Sequence, residues 1–419
     1  MQKRSGKLLV LIFLAAFLLR FGLVFVAYHG DLNNNISWGN LAADRGLAGF
    51  YEGLDWPYSA PNQPPLTILM FAATSVVWRT VENVSGWLNN NFPIFPSPFV
   101  WFWESWGMTL LVKLPSILAD LGIGWLIYKY LSKKKKKLAL LVTTIWLFNP
   151  IIWYNSSIWG QTDSIVNLLG LIGVFALLRK NLYMFTVFFV LALLFKGSLA
   201  LFAPILIFIA LKQRHTVKKW INSVFLAVTT VLLTSVWFHP QVDFFFWLQR
   251  LYLERIFPGE IGYLTANAFN FWWLVDSGKT LDSVIYLGVP ARVWGLVVTL
   301  GSIGAIGYWL RKKISDKKIF LSFAILSLVA FLFMTRIHER YLYPFFPYAT
   351  ILLSFIPGIV IPYIIFSVTH LLNLYHLFWV PSFAPLEALY ELPWFAQTIS
   401  IINVFVFFYL LRLFKPTKL

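Results

Sequence analysis

Apolar runs of about twenty residues, separated by short polar or basic breaks, recur from one end of the chain to the other. A helix of about 20 apolar residues crosses a hydrocarbon core about 30 Å thick. The pattern predicts spans at 8–27, 106–131, 138–154, 163–178, 182–196, 198–211, 220–238, 286–310, 319–335, 342–357, 359–380 and 395–413. About 12 such helices make the fold an all-α polytopic integral membrane protein. A single transmembrane domain over residues 1–419 fits this better than two or three soluble domains. Two polar stretches interrupt the series: a first outer loop, 28–105, and a long outer loop, 239–285.

Within the first loop, residues 37–46 have the spacing of a short surface helix, with Trp38 and Leu41 toward lipid. Gly46, Gly49 and Gly53 then break it. The apolar run 66–79 is short enough for an interfacial or re-entrant helix. Charge parity supports that placement. Lys133–Lys137 ends the span 106–131 on the inner side, and the segment 89–98 (NNNFPIFPSP) cannot supply a second crossing. The outer loop therefore runs to about Ser105, with Phe99–Trp106 in the interfacial aromatic belt. The first apolar run is too long for a typical cleaved signal peptide and lacks a small-residue cleavage site, so it is read as the first span.

Only 12% of the residues are charged, against roughly 25% in soluble domains. A net charge of +17 would suggest nucleic acid, but the placement of the charge argues otherwise. Lysine and arginine gather in short runs between spans, at Lys3–Lys7, Lys133–Lys137, Arg179–Lys180, Lys212–Lys219, Arg311–Lys318 and Arg412–Lys418. That is the positive-inside signature of cytoplasmic loops, with both termini inside. No nucleic-acid partner is expected; Lys133–Lys137 can also touch anionic lipid heads. Cysteine is absent from the sequence, which excludes disulfides and thiolate metal sites. Of the seventeen acidic residues, only Asp316 falls in an inner loop and Asp120 in a span. Topology does not demand this bias, and a polar, acid-bearing outer face is what an outward active site needs.

Four stretches carry candidate chemistry. The first opens the outer loop, where Asp31 follows the first span by a few residues; a carboxylate at the membrane boundary can serve as general base toward a membrane-anchored substrate. Helix capping is the plainer role. Asp44, in the same loop, is counted with the substrate-binding groups. The second is Phe148–Ser164, FNPIIWYNSSIWGQTDS. Its indoles can be interfacial anchors, but Gln161 and Asp163 beside Asn155 and Trp159 suit a sugar, whose hydroxyls need donors and acceptors and whose CH faces pack on rings. Asp163 can equally cap the next span. The third is Thr335–Pro344, TRIHERYLYP, with Arg336, His338, Glu339 and Arg340 at the end of a span. Ionisable groups near hydrocarbon are costly and by default functional. Arg336 and Arg340 would share a face if helical and suit bidentate phosphate recognition; the alternative is a structural ion pair of Glu339 with an arginine. The fourth is Lys196 in LLFKGSLALF, which either snorkels or faces inward to a lipid phosphate. Arg250, Glu254 and Arg255 fit a cavity rim or mutual pairing. Lys113 and Asp120, seven apart on one face, are read as bundle packing.

Taken together, an early outer-loop Asp followed by a PPL helix, WGQTDS, and RIHERYLYP resemble the GT-C class of polytopic glycosyltransferases, and in particular bacterial relatives of the GPI mannosyltransferases. The resemblance covers the chain up to about residue 350. It implies transfer of a hexose, with mannose favoured, from a polyprenyl-phosphate donor to a lipid or glycan acceptor on the outer face of a bacterial plasma membrane. It casts Asp31 as base and maps the family's WGQ-x-D turn onto Trp159, Gln161 and Asp163 and its HER-like turn onto His338, Glu339 and Arg340. Relatives have Lys-Pro-Gln where this chain has Lys196, Gly197 and Ser198. No cofactor is expected beyond the lipid-linked donor, and no metal is required, because the donor carries one phosphate. A transporter or lipid flippase is the competing reading. It would also carry intramembrane charges and polar outer turns, but here the ionisable residues crowd one face and no inverted repeat is visible.

Overall fold

The computed structural model describes residues 2–133, 135–258 and 261–414. Lys134 of the lysine run and Lys415–Lys418 of the last basic cluster lie outside the described residues. The chain is all-α apart from a minimal hairpin, β1 (Ile285–Tyr286) with β2 (Val289–Pro290). Helix α1 (Gln2–Leu23) leads into the outer-loop helices α2 (Asp31–Arg45) and α3 (Pro65–Asn91). Next, α4 (Ser97–Phe102), a π-turn and α5 (Met108–Leu131) run on as one helix. A bent pair follows, α6 (Lys136–Phe148) and α7 (Pro150–Trp153), the latter continued by a π-turn at Tyr154–Trp159. Three shorter apolar helices come next: α8 (Asp163–Leu178), α9 (Leu182–Phe195), and α10 (Ala203–Lys212) with its 3-10 lead-in. Then come α11 (Val217–Ser235), α12 (Phe244–Arg250) with a π-turn to Ile256, and α13 (Phe271–Val275). After the hairpin come α14 (Ala291–Leu310), α15 (Asp316–Phe333), α16 (Phe345–Leu352), α17 (Val360–Tyr375), α18 (Ala384–Tyr390) and α19 (Pro393–Leu411).

Among the described residues, six helices are long and apolar enough to cross a membrane: Gly6–Leu23, Ser97–Leu131, Val217–Phe238, Ala291–Leu310, Pro357–Tyr375 and Pro393–Leu411. The pair Lys136–Phe148 and Pro150–Trp159, bent by 44°, makes a seventh if counted as one span. The protein is therefore a multi-pass helical membrane protein. Helix length alone does not reach the twelve spans that the hydrophobic pattern suggests. The segments 163–178, 182–196 and 198–211 form shorter helices, and in 342–357 only Phe345–Leu352 is α-helical.

The outer loop departs from expectation in two places. The helix expected at 66–79 runs on to Asn91. It starts at Pro65, whose fixed φ suits the first helical turn, and stops before Phe92, which precedes Pro93 and is held extended. Phe99–Trp106 is not loop but the first turns of the helix ending at Leu131, with Pro98 again in the opening turn. Helices α2 and α3 pack through Gly39, where a Cβ would lie 2.5 Å from the Phe71 carbonyl oxygen.

The core is tied together by one carboxylate. Asp120, fully buried in α5, accepts from Arg20 Nε of α1 (3.0 Å), Ser156 Oγ of the π-turn (2.6 Å), Ser164 Oγ of α8 (2.6 Å) and the Tyr343 hydroxyl (2.8 Å). Its own carbonyl accepts from the Trp146 indole of α6 at 2.8 Å. Lys113, two turns earlier, is also buried and donates to the carbonyls of Val24, Ala27 and Ile158. These carbonyls belong to the end of α1 and to the π-turn, whose groups have no helical partner. Both residues serve packing, as expected.

Removing one member of a buried ion pair strands its partner in a medium that cannot solvate it, at a cost of about 3–5 kcal/mol. Arg20→Ala and Asp120→Ala should each lower the melting temperature of the detergent-purified protein sharply. Arg20→Met combined with Asp120→Leu should recover part of the loss. Unchanged melting in both single variants would exclude the pair as a structural hub.

Candidate functional site

Asp31 is the first residue of α2. Gly30 holds the cap position, and no side chain caps this helix. The carboxylate is used elsewhere. Oδ2 accepts from the Trp159 indole at 3.1 Å and from Gln161 Nε2 at 2.6 Å, residues 128 and 130 positions away in sequence. The Asp31 side chain is 40% exposed, and Oδ1 stands 3.6 Å from His29 Nδ1. Two donors thus anchor one oxygen, while the other accepts no hydrogen bond among the described residues. The backbone N–H of Asp31 donates to His29 Nδ1 at 3.0 Å, so that imidazole nitrogen is an acceptor. The His29 ring lies 4.5 Å from the Trp159 ring and 4.6 Å from Phe378. Burial pushes the His29 pKa below its ordinary value, while Asp31 pulls it upward less strongly.

The turn that brings Trp159 and Gln161 to Asp31 depends on two features. The Tyr154–Trp159 π-turn widens the helix end, and the Asn155 carbonyl accepts from both Gly160 N and Gln161 N. Gly160 then adopts φ +87°, and a Cβ there would stand 2.8 Å from Leu32 and 3.2 Å from Lys113. Only glycine lets the turn lie this close to the first turn of α2. Thr162 holds the N-cap position of α8 without a side-chain cap bond, and the Asp163 carboxylate, in the first turn, pairs with Lys196 Nζ at 2.6 Å. Lys196 is buried at the end of α9 and lies 5.2 Å from the centre of the Tyr341 ring, so it turns inward rather than snorkelling.

The third stretch is a turn, not a helix. Ala266 N donates to the Ile337 carbonyl and Arg336 N to the Tyr263 carbonyl, so the long outer segment holds it as a bridge partner. Asn373 of α17 fixes that segment in turn, accepting from Phe269 N and donating to the Asn267 carbonyl. Glu339 is buried, with Oε1 2.7 Å from Arg340 Nη1 and Oε2 3.7 Å from His338. Burial raises the Glu339 pKa, but the Arg340 charge and His338 outweigh that and hold it below the ordinary range. Burial likewise opposes the charge on Arg340, and Glu339, Tyr341, Asp31 and Asp163 together hold its pKa above normal. Arg340 stands 5.6 Å from the Tyr341 ring centre, so Tyr341 faces both cations. Glu339 Oε2, Arg340 Nε and Asp163 Oδ2 are buried with no hydrogen-bond partner in the protein.

The structure therefore gathers Asp31, Trp159, Gln161, Asp163, Lys196, His338, Glu339 and Arg340 into one region, and leaves out two expected members. Asp44 forms a surface ion pair with Arg79 of α3, which holds its carboxyl below the usual range. It lies at the far end of α2, about 20 Å from Asp31 at 1.5 Å per residue. Arg336 shares no helical face with Arg340, because it takes φ +62° and spends its guanidinium on Asp282 (2.7 and 3.1 Å) and the Pro258 carbonyl. His29 and Tyr341 were not singled out from sequence. Tyr341 lies inside the recognised motif, and His29 lies two residues before Asp31.

Among the described residues no group of three or more His, Cys, Asp or Glu side chains could hold a metal ion. Compared with known proteins, the chain matches no family model and no curated protein.

Because the His29 pKa is depressed on folding, the unfolded chain binds more protons below about pH 6.5. The stability that His29 contributes is complete above that pH and is lost as pH falls through the depressed value. Melting temperature measured from pH 7.5 to 5 should therefore fall less in His29→Asn, which keeps an acceptor but does not titrate, than in wild type. Parallel curves would show that His29 is not the titrating group.

Proposed function

We propose that this protein is a membrane glycosyltransferase that moves a hexose from a polyprenyl-phosphate donor to an acceptor hydroxyl on the outer face. The observation that carries the reading is the meeting of one half-open carboxylate, Asp31, with two cations, the buried Lys196 and the partly buried Arg340, whose charges are only partly spent on Asp163 and Glu339. In this reading the chain crosses the membrane twelve times, the shorter apolar helices included, with the three motif turns outward. Mannose as the sugar rests on the resemblance of the motifs to the GT-C class.

The chemistry needs opposite charges on opposite sides of an anomeric carbon. Asp31 Oδ1 takes the proton of the acceptor hydroxyl while Trp159 and Gln161 hold Oδ2 and fix the carboxylate plane. The acceptor oxygen forms a bond to the anomeric carbon, and the bond from that carbon to the phosphate oxygen breaks with its electron pair staying on the phosphate. The products are an inverted glycoside and polyprenyl phosphate. Negative charge grows on the leaving phosphate, and preorganised cations lower the barrier there. Lys196 and Arg340 each give one contact to a carboxylate and keep further N–H donors. Arg336 has no part in this step, since Asp282 holds it.

The test is transfer in proteoliposomes supplied with polyprenyl-phosphate mannose and a membrane-lipid extract. Asp31→Asn keeps an oxygen for Gln161 and removes the base. It should cut turnover at least about a hundredfold, the scale of general-base catalysis, with donor binding retained. Lys196→Met should weaken donor binding and turnover together. Full turnover in Asp31→Asn removes Asp31 as base. Lipid movement between leaflets without sugar transfer would replace the reading with that of a flippase.

A further inference from the structure

A cavity lies between the first outer loop and the long outer segment. It is lined by Tyr51 and Glu52 of that loop and by His239, Asp243, Phe246, Trp247, Arg250, Leu251, Glu254 and Arg255 of the long outer segment, and holds about 530 Å³. Its floor is aromatic. The His239 and Trp247 rings stack in parallel, 5.1 Å apart at 2°, and Tyr51 stands edge-on to Trp247 at 5.9 Å. Its polar groups form a ring in which every carboxylate is already engaged. Glu52 accepts from the Trp247 indole at 2.7 Å, Asp243 bonds His239 at 2.8 Å, and Glu254 pairs with Arg250 at 3.4 Å. Arg255 gives Nη1 to the Tyr51 carbonyl, and that tyrosine donates to the Gln63 carbonyl. The wall itself carries a π-turn, Leu251–Ile256, a geometry that recurs at functional sites.

We propose that this cavity binds a neutral saccharide or polyol. Three acids, two arginines and a histidine leave no strong excess of either charge, which disfavours an anion or a cation. Alternating donors and acceptors around a flat ring pair are what a sugar's hydroxyl rim and CH face require. The volume suits one to two hexose rings. Next to the cavity, Val242, Phe245, Phe246 and Leu253 stand exposed, an apolar rim at the level where a lipid-borne headgroup would arrive. The ligand is thus either a free glycan or the hydroxylated headgroup of a membrane lipid. That it is the acceptor rests on the glycosyl-transfer reading; that it binds does not.

The experiment is saturation-transfer NMR on the detergent-purified full chain with methyl α-mannoside, mannobiose, cellobiose and lactose. Alongside it, native mass spectrometry follows retention of phosphatidylinositol against phosphatidylserine and phosphatidylcholine. Wild type should bind at least one disaccharide or retain phosphatidylinositol selectively, and the arm that responds identifies the source. Glu52→Leu removes the acceptor and Trp247→Phe the donor, so each breaks the indole–carboxylate bond. Each should weaken binding about tenfold, the scale of one hydrogen bond to a charged group. Asp31→Asn should bind as wild type does, whether or not transfer survives, so this site and the catalytic reading fail separately. No binding in either arm, binding unchanged in both cavity variants, loss of binding in Asp31→Asn, or preference for a choline headgroup would each overturn the proposal. Melting temperatures of the variants within a few degrees of wild type guard against misfolding as the cause.

Discussion

A carboxylate buried in the middle of a helical bundle must be satisfied completely or it destabilises everything around it. Asp120 meets that demand with Arg20, Ser156, Ser164 and Tyr343, drawn from three separate stretches of chain. The arrangement does more than neutralise a charge. Ser156 and Ser164 bracket the turn that carries Trp159 and Gln161, and Tyr343 follows directly on the turn that carries Glu339 and Arg340. Fixing one carboxylate therefore fixes the separation of two motif turns. Lys113 repeats the device higher in the same helix, joining the end of α1 to the carbonyl of Ile158. Asp31, a few residues past α1, inherits its position from these two anchors.

The candidate site is built of polar groups that do not exhaust one another. Asp31 has one oxygen bound and one open. Lys196 and Arg340 face the same tyrosine ring from different elements, each tethered to a carboxylate that retains an unbonded oxygen. Asp120, by contrast, accepts two hydrogen bonds on each oxygen.

Much of this was legible in the sequence, for physical reasons. Membrane helices announce themselves by length, and the three motif turns stood out because ionisable groups beside hydrocarbon are costly. Asp31, Gln161, Asp163, Lys196, Glu339 and Arg340 do converge. Charge spacing, however, could not show that residues 335–344 leave the helical path, so Arg336 looked like a partner of Arg340 when its true partner is Asp282, fifty-four residues earlier. Asp44 looked equivalent to Asp31 because both lie in one loop, whereas α2 places them at opposite ends of a rigid rod. The helical start at Ser97 was hidden because aromatic residues serve the interface and the helix alike. Arg20 went unnoticed because one arginine barely alters a long apolar run.

The Arg20–Asp120 pair also has a consequence in time. The two residues are separated by 100 positions, so the first helix is synthesised with its arginine long before the carboxylate exists. Entering hydrocarbon alone, that guanidinium costs about 2.5–3.5 kcal/mol on insertion scales if it reaches the bilayer centre. Until the fifth helix follows, the nascent first helix is poorly matched to free lipid and better matched to the polar seam of the insertion machinery. The first helix thus gains the partner for its arginine only when the fifth has been made.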